Sequence, residues 1–455
     1  METKIRNCLA MYINYVWVDK IKSIEKFEMK FQAANAKGWH VIIGDNGSGK
    51  STIIRSIALA LIGPEEAYGL RANWHEWLSH GAKKGEVYLD IINEKFDSHT
   101  GKSSPLKNKP IPNHIWLEKI ENNSLLGLQF QNVIELKSNF NSSQPHKINP
   151  ARFNWGKGGG WFSVAYGPFR RFQGGGNEWS KVFHSQPKLG AHLSCFGEDV
   201  ALTETEEWLK KLSYQKNEGK PEGVIIDGIM KLINSEDFLP YGVKIDEIDP
   251  DLILFKRGEN DYLSLDDLSD GYRSILSLCF ELIRQLIRVY GYELVFSNIN
   301  NGELNINMPG IVLIDEIDAH LHPTWQVKIG QWFTKCFPNI QFIVTTHSPH
   351  ICKGCIMEDG TKNGTIWLMA RPGFEEKSRQ LSDEEMNKLV FGNISDAYST
   401  GAFGDDTQRS EISVQMLKEL AKLNKLKLFG QISESDETRR LELEKIFTTD
   451  VTNDF

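Results

Sequence analysis

The sequence predicts an α/β protein that combines a mixed sheet with an antiparallel part and a helical part, without a long coiled coil. Three observations predict this class. Apolar and polar residues alternate along much of the first 43 residues, as in half-buried antiparallel strands. Apolar runs at 41–43, 311–314 and 342–344 are typical of buried parallel strands. Helical periodicity is strong at 50–62 and 272–290, and no heptad array extends it into a coiled coil.

The composition is that of a soluble globular protein and gives no overall charge for binding nucleic acid. Of 455 residues, 40% are hydrophobic and 25% charged. Lys and Arg number 52 against 60 Asp and Glu, a net charge of -8, so nucleic-acid contacts must be local. The pairs Lys83–Lys84 and Arg170–Arg171 are candidates, with solvated surface as the alternative. No apolar stretch reaches the roughly 18 residues that cross a bilayer, and no signal-peptide pattern is seen, so we expect a cytoplasmic protein without membrane contact.

The six cysteines show no disulfide framework, which suits a reducing compartment. Only Cys352 and Cys355 form a C-x-x-C pair, and His347 and His350 lie just upstream. A zinc site would need these histidines or a second cysteine pair as ligands. We favour a structural role for the two cysteines.

The strongest chemical signal is a glycine-rich loop between a predicted strand and a predicted helix. It reads G-x-x-x-x-G-K-S and is followed by Thr52; its residues are Gly44, Asp45, Asn46, Gly47, Ser48, Gly49, Lys50 and Ser51. Backbone N–H groups of such a loop cradle phosphate oxygens, and the helix N-terminus adds its positive dipole end. We expect ATP here, with Lys50 facing the β and γ phosphates and Ser51 a ligand of Mg²⁺.

Two carboxylates end the apolar run at 311–314. Hydrolysis of a nucleotide needs one carboxylate near Mg²⁺ and another beside the attacking water. We expect Asp315 to hold Mg²⁺ or one of its waters, and Glu316 to act as the catalytic base.

A third motif, Leu268-Ser269-Asp270-Gly271, stands at the start of the helix predicted at 272–290. An ordinary helix cap is one interpretation. The alternative is an anion site built from Ser269, the Gly271 N–H group and the helix dipole. Because the chain's own phosphate loop does not require that site, it implies a second ATP and a head-to-tail pair of chains.

The order of these motifs resembles the ATP-binding-cassette (ABC) superfamily. In that family a switch histidine follows a core strand, and the resemblance assigns this role to His347, which can bond the γ-phosphate or the catalytic water. The segment 318–323 takes the place of the D-loop, which crosses the dimer interface in the family. The resemblance therefore implies an ABC-type P-loop ATPase head that needs ATP and Mg²⁺.

The long stretch between Lys50 and Ser269 and the element at 77–87 are similar to SMC-like and recombination ATPases. Four further stretches resemble the ATPase subunit of Septu-type anti-phage defence systems: 164–171, 206–209, 315–326 and 391–404. This resemblance implies a homodimer or higher oligomer and a separate HNH-type nuclease subunit. DNA, or retron-type RNA and DNA, are further candidate partners. The glutamine loop departs from the family pattern, since the nearest glutamine after the strand at 162–166 is Gln173.

Three functions compete at this level. The first is a defence ATPase that regulates a separate nuclease. The second is an SMC- or recombination-like DNA-repair ATPase, which would need a basic groove. The third is a nuclease fused in one chain, but the residues after 373 are too few for a metal-binding nuclease domain, and Asp405–Asp406 is better explained as a solvated pair. We favour the first.

The motif positions predict five parts. They are the first part of the nucleotide-binding core at 1–70, an antiparallel subdomain with an insertion at 71–176, a helical signature region at 177–299, the second part of the core at 300–372, and a C-terminal helical segment at 373–455.

Overall fold

The computed structural model describes residues 11–32, 35–70, 73–93, 97–100, 109–120, 133–140, 148–156, 158–170, 185–197, 203–235, 238–371, 376–392 and 411–447. The chain forms two compact units, Met1–Ala397 and Tyr398–Phe455.

The strands of the first unit form three sheets. In chain order they are β1 Tyr12–Ile21, β2 Ile24–Lys30, β3 Gly38–Ile43, β4 Lys84–Ile92, β5 Ile111–Ile120, β6 Val133–Lys137, β7 Ser163–Tyr166, β8 Lys244–Ile248, β9 Ile253–Lys256, β10 Tyr262–Ser264, β11 Gly310–Ile314, β12 Ile340–Thr345, β13 Gly364–Leu368 and β14 Arg379–Gln380.

The longer helices are α1 Lys50–Ile62, α2 Thr203–Asn217, α3 Val224–Ile233, α4 Asp270–Tyr290, α5 Pro323–Cys336, α6 Asp383–Phe391, α7 Glu411–Leu428 and α8 Glu434–Ile446. Short helical turns connect them at Pro64–Ala67, Tyr68–Leu70, Trp74–Glu76, Pro150–Arg152, Pro187–Gly190, Leu193–Cys195, Pro221–Gly223, Pro240–Gly242, Tyr292–Val295, Ser297–Asn300 and Pro349–Cys355.

The central sheet has six strands in the order β14-β13-β3-β12-β11-β7. All neighbours are parallel except the β13–β14 pair. Every residue of β3, β11 and β12 is buried, as the continuous apolar runs predict. Because β12 lies between β3 and β11, the carboxyl ends of these three strands meet at one edge of the sheet.

The antiparallel sheet has the order β2-β1-β4-β5-β6. Its strands β4 and β5 alternate buried and partly exposed residues, so one face packs inward. The sheet takes strands from both sides of residue 70, so a division there does not separate it from the central sheet. The helix α1 contacts β1 and β4 of this sheet and β11 and β12 of the central one. Because α1 is apolar on nearly all sides and buried between the sheets, it fixes the loop that precedes it.

The helical region carries the small antiparallel sheet β10-β9-β8 and the long helix α4. Ile275, Leu278, Leu282 and Leu286 give α4 a buried stripe at the spacing predicted from the sequence. Gly291, with φ of 82°, ends the helix, and its N–H group donates to Ile287 O.

The second unit is described by α7 and α8, which form a hairpin. Lys427 Nζ lies 2.7 Å from Glu437 Oε1, and Arg439 Nε lies 3.1 Å from Glu419 Oε1. Leu423 and Leu443 are the buried apolar side chains of the described pair. In neither unit does a helix of the described residues have the length and apolar character needed to cross a membrane.

Candidate nucleotide site

The glycine-rich loop, the carboxylate pair and the candidate switch histidine meet at the carboxyl edge of the central sheet. The loop follows β3, Asp315 and Glu316 follow β11, and His347 comes two residues after β12. Ligands in open α/β sheets bind at this edge. The structure therefore brings together three motifs that are far apart in the sequence.

Glycine is required at two points of the loop. Gly47 and Gly49 have φ of 77° and 94°, in the left-handed region. A Cβ atom on Gly49 would lie 2.3 Å from Ile24 Cδ1, so the β1–β2 hairpin packs against the loop. Lys50 Nζ donates to Gly44 O at 2.8 Å and Asp45 O at 3.0 Å, and it lies 3.5 Å from His347 Nδ1.

The charge state of Lys50 depends on its burial and on the carboxylates around it. Burial lowers its pKa to about 8, and the negative charges of Glu316, Asp315, Asp318 and Asp45 act in the opposite direction. These carboxylates are the groups that keep the ammonium charged near neutral pH.

The two carboxylates at the end of β11 have different surroundings. Asp315 is buried; its Oδ1 accepts a hydrogen bond from Thr345 Oγ1 at 2.6 Å, while its Oδ2 is buried without a partner. Glu316 is half-buried and has φ of 48°, which is rare for a residue other than glycine. Its N–H group donates to the same Thr345 Oγ1 at 2.8 Å. Thr345 thus holds both carboxylate residues, a role that the sequence analysis missed.

The donor set fits Mg²⁺. Asp315 Oδ2 is a buried carboxylate oxygen without a partner, and such an atom is costly unless a cation or donor reaches it. Ser51 is the second residue of α1, directly after Lys50, and it offers a hydroxyl oxygen, the kind of ligand that Mg²⁺ prefers. A second unpartnered buried oxygen, Ser48 Oγ, lies within the loop itself.

His347 and Asp318 are two further titratable side chains at the carboxyl edge of the central sheet. His347 is half-buried, and burial together with the nearby Lys50 lowers its pKa, while Asp318, Glu316 and Asp315 act to raise it. Its imidazole is therefore neutral at neutral pH. Asp318 Oδ1 accepts from Thr346 Oγ1 at 2.6 Å, which ties the segment after Glu316 to the end of β12.

The motif at 268–271 lies at the N-terminus of α4. Ser269 is the N-cap residue, is exposed, and makes no side-chain capping hydrogen bond. Gly271 is buried, and a Cβ atom there would lie 2.6 Å from His320 O. The glycine is thus needed for close packing on the 318–322 segment, while the hydroxyl of Ser269 faces outward.

One of the candidate nucleic-acid contacts is wrong. Arg170 is 5% exposed and donates to backbone carbonyls inside the protein, so it cannot form a surface patch. Arg171 and Gln173 lie outside the described residues. Lys83 and Lys84 are exposed, and Lys84 Nζ pairs with Glu86 and lies 4.9 Å from the centre of the Trp116 ring.

Cys352 and Cys355 are buried, and burial raises the pKa of both thiols. Cys355 Sγ donates to Trp39 O at 3.3 Å. Among the residues that the structure describes, no group of three or more His, Cys, Asp or Glu side chains is placed to hold a metal ion.

The chain is similar to several known proteins. Residues 179–353 match the family described as "AAA domain, putative AbiEii toxin, Type IV TA system". The Septu protein PtuA of Bacillus mycoides (strain KBAB4) is 24% identical over 359 residues, which are 76% of this chain and 39% of that protein. The Retron Vc95 probable ATPase of Vibrio cholerae serotype O1 biovar El Tor is 26% identical over 368 residues, 71% of this chain and 68% of that protein.

Two shorter or weaker similarities accompany these. The Retron Ec83 probable ATPase of Escherichia coli is 43% identical over 135 residues, 29% of this chain and 22% of that protein. The Smc head bound to the C-winged helix domain of ScpA aligns with a TM-score of 0.44 and 17% identity, covering 82% of this chain and 99% of that structure. The matched region is thus well under half of the PtuA protein of Bacillus mycoides and of the Ec83 protein.

The mixed central sheet, the antiparallel sheet and the helical region that carries the 268–271 motif are the parts predicted for an ABC-type P-loop head, which confirms the predicted α/β fold class. Within that class the chain resembles the Septu protein PtuA and the retron ATPases.

Proposed function

We propose that this chain binds Mg-ATP and hydrolyses it to ADP and phosphate. The observation that carries the proposal is the meeting of Lys50, Asp315 and Glu316 at one edge of the central sheet, with Asp315 Oδ2 buried and unpartnered. The names of the retron relatives, which read "probable ATPase", support it.

Each residue at the edge has a role that its surroundings support. The backbone N–H groups of 44–52 and Lys50 Nζ bind the phosphates, and Lys50 exchanges two loop carbonyls for phosphate oxygens. Ser51 and Asp315 hold Mg²⁺, which supplies charge neutralisation of the phosphates. Glu316 orients the attacking water and accepts its proton. The neutral imidazole of His347, close to Lys50, bonds the γ-phosphate or that water.

The same proposal includes a second copy of the chain. Ser269 is exposed at the N-terminus of a 21-residue helix and has no capping role for its hydroxyl. A helix N-terminus with a free hydroxyl suits a phosphate that another copy presents. We expect a homodimer or higher oligomer with ATP shared head to tail between Lys50 of one copy and Ser269 and Gly271 of the other.

In the cell, the proposed role is that of an ATPase subunit in an anti-phage defence complex that regulates a separate HNH-type nuclease. The similarity to Septu PtuA supports the defence role. The alternative is an SMC- or recombination-like DNA-repair ATPase. The alternative predicts that the chain alone binds DNA, with an affinity that falls steeply as salt rises. The favoured role predicts co-purification with the nuclease and a DNA cleavage rate that changes on titration with ATP.

Glu316→Gln tests the hydrolysis. The variant should bind ATP as the wild type does, since the amide has the carboxylate's shape, and its turnover should be lower by on the order of a hundred-fold or more. Glu293→Gln is the control, because Glu293 is exposed and follows the far end of α4. The proposal is refuted if Glu316→Gln retains turnover within a few-fold of this control.

A further inference from the structure

Arg170 is a buried charge that the mechanism above does not use. Its side chain is 5% exposed, and burial lowers its pKa to about 10, against the opposing effect of Asp315, Asp318 and Glu316. A buried charge is costly unless hydrogen bonds compensate it. Its guanidinium group therefore has to make good contacts inside the protein, and their positions indicate what it does.

On one side, Arg170 holds the end of β11. Its Nη1 donates to Gly167 O at 2.8 Å and to Asp315 O at 2.9 Å. Its Nη2 donates to Glu316 O at 3.0 Å and approaches Ile317 O at 3.5 Å. The planar fork of the guanidinium group thus spans the backbone carbonyls of three successive residues, including both carboxylate residues.

The residue in the middle of this span has a strained backbone. Glu316 has φ of 48°, and such a conformation persists only where its surroundings fix it. Its N–H group is held by Thr345 Oγ1 at 2.8 Å and its C=O group by Arg170 Nη2 at 3.0 Å. Loss of either partner frees the backbone to relax and to carry the carboxylate away from its position.

On the other side, Arg170 reaches α4, the helix whose N-terminus carries the 268–271 motif. Its Nε donates to Ser274 Oγ at 3.3 Å, one turn into α4 and near the Ser269 cap. The packing of Gly271 against His320 O is a second contact between the start of α4 and the segment after Glu316. These two contacts therefore join the start of α4 to the segment 315–320, one of them through the buried and hydrogen-bonded side chain of Arg170.

We infer that Arg170 is a positioning residue that fixes Glu316 and links it to α4 of the same chain. This inference depends on the proposed ATPase function. Contact of Ser269 with the nucleotide of a second copy moves or locks α4, and Arg170 carries that change to the catalytic base. Arg170 acts through Glu316 and not on the nucleotide, because its guanidinium donors are directed at protein oxygens.

Arg170→Lys tests the inference, because lysine keeps the charge but loses the fork. ATP affinity should stay within about two-fold of wild type, because Arg170 touches no nucleotide, while kcat should fall on the order of ten- to hundred-fold, as for other small displacements of a catalytic group. The matched control is Arg55→Lys, which also loses a guanidinium bond to a backbone carbonyl, Cys195 O at 2.9 Å. This control should keep wild-type kcat.

A kcat for Arg170→Lys equal to that of the control overturns the inference, and so does a loss of ATP affinity as large as the loss of kcat. Ser274→Ala removes only the hydrogen bond between Arg170 and α4. This variant tests the inference if Arg170→Lys does not fold. It should lower kcat several-fold at unchanged ATP affinity, and wild-type kcat in this variant overturns the link. A wild-type chain that does not hydrolyse ATP contradicts the proposed function instead.

Discussion

Thr345→Val is the substitution for which the structure gives the loss of folding stability most directly. The Thr345 hydroxyl donates to Asp315 Oδ1 at 2.6 Å and accepts from the Glu316 N–H group at 2.8 Å, and its side chain is fully buried. Valine has nearly the same shape, so packing changes little while two buried groups lose their partner. Each stranded group costs about 1–3 kcal/mol, which gives roughly 2–6 kcal/mol for the pair. Since a domain has about 5–15 kcal/mol of net stability, the loss is readily measured.

The assay is denaturant unfolding together with ATP turnover. Thr345→Ser is the matched control, because it keeps the hydroxyl and loses one methyl group, worth about 1 kcal/mol. Thr345→Val should unfold at clearly lower denaturant concentration than Thr345→Ser, and its turnover should fall because Glu316 loses its N–H partner. The reasoning is refuted if the two variants unfold together and both hydrolyse ATP at the wild-type rate.

Three further predictions concern Lys50 and its partners. Lys50→Ala should abolish ATP binding, because it removes the point charge facing the phosphates; retained affinity in an equilibrium titration contradicts this. Since the pKa of Lys50 is about 8 and bound phosphate raises it, binding takes up a proton above that pH, so ATP affinity should fall as pH rises through about 8. A flat profile from about pH 7 to 9 contradicts the assignment. Mixing Lys50→Ala with Ser269→Arg should restore part of the ATPase activity that each variant lacks alone, because each mixed dimer has one intact composite site. The rate at that site should stay below the wild-type rate, since its Glu316 belongs to the chain in which Ser269 is replaced. Mixed dimers that stay inactive refute the shared site.

The sequence predicts the strands and helices around the candidate site because their signals are local. A glycine loop between an apolar strand and an apolar helix, and two carboxylates at a strand end, need no knowledge of distant contacts. The continuous apolar runs within β3, β11 and β12 likewise predict burial on both faces. These elements have the predicted positions to within a few residues.

Arg170 illustrates that a local sequence pattern carries no information about contacts between distant strands. Arg170–Arg171 looks like a surface pair because charged side chains are rarely buried. Only the pairing of β7 with β11, across a long separation in sequence, places Arg170 beside the carbonyls of Asp315 and Glu316. The membership of β1 and β2 in the sheet with β4 has the same origin, since strand pairing is a property of the whole chain.

Thr345 was missed for a different reason. A polar pair, Thr345–Thr346, follows the apolar run 342–344 of β12, and a hydroxyl at that point has to find a partner when it is buried. That signal is present in the sequence, but its partners are at the end of another strand. The positive φ of Glu316 leaves no sequence signal, because the residue is not glycine.

Under the proposed pairing, these contacts make the two ATP sites dependent on each other. The Glu316 that acts on one ATP is held by Arg170, which is bonded through Ser274 to the same chain's α4. The N-terminus of that α4 faces the ATP of the other copy. Each nucleotide therefore acts on the base at the opposite site, and because the two copies are identical the effect is the same in both directions. A pair of sites linked in this way distinguishes two bound ATP molecules from one, and under the proposed function this difference is the signal that would reach the nuclease subunit.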